Sequence, residues 1–193
     1  MKTDIILAGV GGQGILSIAT ILGEAALRHN LYLKQAEVHG MSQRGGDVMS
    51  CLRLSSEPIA SDLIPSGKVD LIISLEPMEA LRYVHLLGPE GRVITSTEPF
   101  VNIPDYPAHE AVMAELAALP RVVTLPAEAI AREVASPRSS NMALLGAAAP
   151  YVGLPVEALR QSIAVIFAAK GEKIVSDNLA AFNAGLEYAQ GLS

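Results

Sequence analysis

Gly9-Val10-Gly11-Gly12-Gln13-Gly14 narrows what this chain can fold into more than any other feature. These six residues match G-x-G-x-x-G. They follow a short buried strand expected over Asp4 to Ala8, and open a segment, Gly14 to His29, in which Ile15, Ile18, Ala19, Leu22 and Ala26 recur at helical spacing. A tight strand-to-helix turn needs positive φ, and absent side chains let a phosphate reach the N–H groups at the positive end of the helix. The same six residues also suit a close-packed crossing that holds no ligand. Both readings are open at this point.

The rest of the chain repeats the alternation. Strands are expected over Leu31 to Val38, Val48 to Leu54, Val69 to Leu75, Arg92 to Ser96 and Val122 to Leu125. Glu76-Pro77 opens a helix through Leu87 that Gly88 stops, and Ala108 to Leu119 and Ala127 to Val134 are helical in pattern. From Asn141 onward the pattern is wholly helical: Met142 to Tyr151, Pro155 to Ala169 closed by Gly171, and Asp177 to Ala189 closed by Gly191. This order predicts a three-layer α/β/α Rossmann-like domain with a mostly parallel sheet and a helical C-terminal region. With no linker or repeat, residues 1–193 are read as one domain.

A second motif qualifies the first. A dinucleotide site wants an acidic residue ending the second strand, and Glu37, 23 residues beyond Gly14, satisfies that spacing. Glu37 is followed at once by His39-Gly40-Met41-Ser42-Gln43-Arg44-Gly45-Gly46, a polar loop for which a simple dehydrogenase has no use. Arg44 suits a carboxylate or phosphate because its fork binds two oxygens at once. His39 has a near-neutral intrinsic pKa but no catalytic companion nearby, so hydrogen bonding is its expected role. Alternatively the loop packs on its own fold or on a partner, and Glu37 is a strand-end carboxylate in water or paired with Arg44. Asn141 reads first as part of a helix cap with Ser140, and second as a ligand contact. Glu76 and Glu79 bracket a helix's first turn, where negative charge is favoured, and Glu76 also follows a strand's carboxyl end.

Composition removes several function classes. The net charge is −6, without a Lys/Arg cluster of the kind that tracks a phosphate backbone, which argues against nucleic acid as a partner. Half of the residues are hydrophobic and mean hydropathy is +0.36, yet no run approaches the ~18 apolar residues a membrane span needs. The excess fits either an Ala- and Leu-rich core or a surface covered by another chain. The start of the sequence turns to glycine too soon for a signal peptide, so the cytoplasm is expected. One cysteine, Cys51, excludes an internal disulfide and a cysteine-ligated cluster held by this chain alone; in its strand it acts as a small hydrophobe. His29, His85 and His109 lack companions at ligand spacing, and no metal site is expected.

GVGGQG at 9–14 together with EVHGMSQRGGDV at 37–48 resembles the γ domain of the pyruvate/2-oxoacid:ferredoxin oxidoreductase family, most nearly the small subunits of its indolepyruvate branch. The resemblance extends to Leu75-Glu76-Pro77 with Glu79-Ala80-Leu81-Arg82, and to Ser140-Asn141-Met142-Ala143-Leu144-Leu145-Gly146. It implies an accessory subunit in the oxidative decarboxylation of an arylpyruvate with coenzyme A. Thiamine diphosphate, Mg and 4Fe–4S clusters would sit on a large partner subunit, and ferredoxin would join through the complex. Carried over position by position, Gly9, Gly11, Gly12 and Gly14 correspond to the family's glycine turn and His39, Ser42, Gln43 and Arg44 to its polar loop; these loops, with Gln13 and Asn141 as further candidate binding residues, are expected to face the partner's active site and help hold coenzyme A or close over the substrate. No catalytic residue is implied. A stand-alone NAD- or flavin-binding reductase and a structural interaction module are the alternatives. A homodimer of the isolated chain is a further expectation.

Overall fold

The computed structural model describes residues 1–39, 46–101 and 103–192. Among them are six strands and seven α-helices: β1 (Lys2–Val10), α1 (Ile15–Arg28), β2 (Tyr32–His39), β3 (Asp47–Ser55), β4 (Val69–Ser74), α2 (Pro77–Tyr83), β5 (Leu87–Ser96), α3 (His109–Ala117), β6 (Val122–Leu125), α4 (Ala127–Val134), α5 (Ser140–Ala148), α6 (Val156–Phe167) and α7 (Glu172–Gln190). The strands form one sheet in the order β2-β3-β1-β4-β5-β6. β1, β4, β5 and β6 pair in parallel, whereas β3 runs antiparallel to both β1 and β2.

The mostly parallel α/β/α expectation therefore holds, with one reversed strand inserted beside β1. That reversal follows from chain length, since only residues 40–46 join β2 to β3 and a parallel crossover takes a dozen or more. A buried cross-strand pair fixes the register. Asp4 stands opposite Arg53 and receives both Nε (2.7 Å) and Nη2 (3.0 Å), while Arg53 Nη1 donates to Ser61 O and Leu63 O. A buried pair is tolerable only with its donors satisfied in this way, and the bond to Asp4 holds the Arg53 guanidinium above its ordinary pKa.

Alternating residues of the central strands feed two cores. Ile5, Leu7, Leu52, Leu71 and Ile73 face α1 and α4–α7; Ile6, Ala8, Cys51, Ile72 and Val93 face α2 and α3. Helix α5 is buried along its whole length from Asn141 to Ala148. It crosses α7 so closely that a Cβ on Gly146 would lie 1.9 Å from Phe182 O, and one on Gly185 1.9 Å from Ala143 O.

Two expected boundaries shift. The helix expected to run to Leu87 ends at Tyr83 and tightens into a 3₁₀ turn over Val84–Leu86, so Gly88 lies inside β5, where the register with β4 slips between Val69 and Leu71. Helix α7 begins at Glu172, five residues earlier than expected, because Gly171 at φ 97° ends one helical segment and caps the next.

Candidate functional site

The carboxyl ends of β1 and β4 diverge to connections on opposite faces of the sheet, β1 leading into α1 and β4 into α2. A crevice at such a switch point is where open α/β sheets receive ligands. The glycine turn forms one wall. Gly12 (φ 105°) and Gly14 (φ 87°) lie in the region that disfavours side chains, Gly12 is exposed, and a Cβ placed on it would meet nothing within 4 Å. Helix α1 starts with Gly14 as its N-cap and no side-chain cap; Ser17 N turns back to Gly14 O (3.1 Å), and the amides ahead of it face the mouth of the turn.

Three hydrogen bonds join this turn to the other stretches that carry the family resemblance. Gly11 N donates to Gly46 O (2.8 Å), the end of the polar loop. Gln13 Nε2 donates to Leu75 O (3.2 Å), the first residue beyond β4. Asn141 Nδ2 donates to Gly14 O (3.2 Å), and a Cβ on Gly14 would lie 2.6 Å from that nitrogen. Segments more than 120 residues apart in sequence thus meet at one turn. Gln13 also folds back within it, its Oε1 accepting from Val10 N at 2.7 Å.

The expected site residues divide accordingly. The backbone of Gly9, Gly11, Gly12 and Gly14 forms the wall, and the side chains of Gln13 and Asn141 are engaged with it. His39 closes β2 opposite Val48. Ser42, Gln43 and Arg44 lie outside the described residues, so the Glu37–Arg44 pairing does as well. Glu37 is exposed and accepts from Gln35 Nε2 at 2.5 Å. The ribose position that its spacing permits is not built: β3 separates β2 from β1, which places Glu37 two strand spacings, about 10 Å, from the turn's strand.

On the opposite side of the crevice Glu98 lines the wall and Glu76 lies buried behind it. Glu76, fully buried at the N-cap of α2, accepts from Glu79 N (2.8 Å), from Phe100 N (3.3 Å) and from the Tyr106 hydroxyl. It thereby holds the Phe100 backbone and the Tyr106 side chain on one carboxylate. Burial, reinforced by the bond to Glu76, pushes the Tyr106 phenol well above its ordinary pKa. Glu98 caps α4 from a distance, with Glu128 N at 2.7 Å on Oε2 and Ala129 N at 2.9 Å on Oε1, and it takes the Ser96 hydroxyl as well. The one available signal was negative: Pro126 precedes α4 and offers no capping side chain.

Between the walls lies a cavity of about 70 Å³ lined by Gln13, Leu75, Ser96, Glu98, Phe100 and Ser140. A larger groove of about 610 Å³ follows α7 past Glu172, Val175 and Leu179, and another of about 340 Å³ lies beside Asp4 and Arg53. Neither adjoins the turn. Among the described residues no group of three or more His, Cys, Asp or Glu side chains is placed to hold a metal.

The family model described as pyruvate ferredoxin/flavodoxin oxidoreductase matches residues 4–188. The chain is 35% identical over 195 residues to indolepyruvate oxidoreductase subunit IorB of Pyrococcus horikoshii, covering 97% of this chain and 96% of that protein. It is 31% identical over 175 residues to the pyruvate/ketoisovalerate oxidoreductases common subunit gamma of Pyrococcus furiosus, covering 88% and 90%. Two solved structures share the fold. The 2-oxoglutarate:ferredoxin oxidoreductase from Magnetococcus marinus matches with TM-score 0.79 at 24% identity, over all of this chain and 32% of that one. The keto/oxoacid ferredoxin oxidoreductase gamma subunit from Geobacter sulfurreducens matches with TM-score 0.71 at 22% identity, over 98% and 99%.

Proposed function

This chain belongs to the pyruvate ferredoxin/flavodoxin oxidoreductase family, and from that premise we propose that it is the small accessory subunit of a 2-oxoacid:ferredoxin oxidoreductase acting on indolepyruvate or a related arylpyruvate. The observation that supports this most is the convergence of the four resembling stretches on the glycine turn through the Gly11–Gly46, Gln13–Leu75 and Asn141–Gly14 bonds. A chain with a single cysteine requires a partner for cluster chemistry. The larger subunit supplies thiamine diphosphate with magnesium and the 4Fe–4S clusters, and ferredoxin carries the electrons away. The products are the aryl-acetyl-CoA, carbon dioxide and reduced ferredoxin. None of the helices among the described residues is long and apolar enough to cross a membrane, which suits a cytoplasmic complex.

In this reading the chain's own task is to hold coenzyme A. The turn, shaped by Gly9, Gly11, Gly12 and Gly14, offers phosphate oxygens the N–H groups of its exposed tip at Gly12 and of the start of α1 at Gly14, and Arg44, with His39, Ser42 and Gln43, adds charge and hydrogen bonds from the polar loop. No residue here is assigned a bond-making role. In the complex reconstituted with the large subunit, Arg44→Ala is expected to raise the KM for coenzyme A roughly tenfold, with a smaller rise for Gln43→Ala. Unchanged assembly, coenzyme A affinity and turnover in both variants would overturn the reading.

A further inference from the structure

Gln13 and Asn141 stand beside the proposed ligand wall, yet the polar atoms that the structure pairs are turned onto the wall itself. The Gln13 carboxamide spans the divergence of β1 and β4, with Oε1 on Val10 N at 2.7 Å and Nε2 on Leu75 O at 3.2 Å. Asn141 presses Nδ2 against Gly14 O at 3.2 Å from the first turn of a wholly buried helix. Gly14 is required there twice over, for its φ of 87° and because a Cβ would lie 2.6 Å from that nitrogen. The turn is thus clamped on the β4 side and on the α5 side, while Gly12 at its tip stays exposed.

We infer that Gln13 and Asn141 are positioning residues: they fix the conformation of the glycine turn and act on the ligand only through it. This rests on the functional reading above and deepens it, assigning ligand contact to the turn backbone. A side chain that met the ligand directly and one that holds the turn predict different behaviour before any ligand is present.

The test uses the assembled complex of wild type, Gln13→Ala, Gln13→Glu and Asn141→Ala. Amide hydrogen exchange over residues 8–17 is measured without coenzyme A, and the KM for coenzyme A is measured in turnover. Gln13→Ala and Asn141→Ala are expected to speed exchange in the turn and raise KM roughly five- to tenfold, the scale of one or two lost hydrogen bonds. Gln13→Glu keeps an acceptor for Val10 N and is expected to restore protection at Val10. Higher KM with unaltered exchange would make these side chains direct ligand contacts and overturn the inference. So would unaltered KM, whatever the exchange. A wild-type complex that consumes no coenzyme A would instead bring down the functional reading, and this inference with it.

Discussion

Tyr106 and Glu76 show how a side chain thirty residues away shapes the crevice. Hydrogen bonds to a charged group contribute about 1.5–3 kcal/mol, and the Glu76 oxygen that takes this one also accepts from Phe100 N. Burial holds the Tyr106 phenol above its ordinary range, and burial likewise raises Tyr83 to about 12. Unfolded tyrosine ionises near pH ~10. The contribution of both groups is therefore intact below that pH and is lost as pH climbs from there toward 12 and beyond, where the unfolded chain releases protons first. Tyr106→Phe is expected to lower stability at pH 8 and to make the alkaline decline shallower, checked by urea midpoints at pH 8, 10 and 11; a parallel decline would contradict this. Nothing around Tyr106 signals its role in the sequence, because its partner lies far along the chain. Glu98 is hidden for the same reason. Glu76, by contrast, stands in a recognisable strand-to-helix junction, and its capping role was legible.

Among the elements, α5 and α7 cross with their backbones too close to admit a side chain at Gly146 or Gly185. Adding a methyl at Gly146 or Gly185 sets it 1.9 Å from a backbone oxygen that no rotamer change can move. Gly146→Ala or Gly185→Ala is expected to destabilise the chain by about 3 kcal/mol, the upper part of the usual overpacking range. A denaturant midpoint shift checks it, and an unshifted midpoint would mean that the helices separate freely. The sequence marked α5 as a continuous apolar helix and included Gly146 in a family stretch, but a single chain's periodicity cannot say which neighbour requires a glycine. Most strands were legible because buried parallel strands are short apolar runs between turn residues. Strand direction was less so: periodicity carries no polarity, and the reversal of β3 shows only in the shortness of residues 40–46. That reversal decides the ligand question at Glu37, since it moves β2 away from the glycine turn.

At the scale of the molecule, the glycine-turn wall of the candidate site stands at the carboxyl end of β1, in the middle of the sheet. The chain spans 96% of the length of the indolepyruvate relative but 32% of the Magnetococcus structure's chain, so the same fold occurs alone and within a longer polypeptide. In the proposed reading, such a module acts when its partner completes the site. The deciding measurement is reduction of ferredoxin by indolepyruvate and coenzyme A, assayed with the purified chain, with the thiamine- and cluster-bearing subunit, and with the two combined. Coenzyme A-dependent turnover that needs both chains is the predicted result. Hydride transfer to NAD by the isolated chain, or full coenzyme A-dependent turnover by the large subunit without it, would contradict the account.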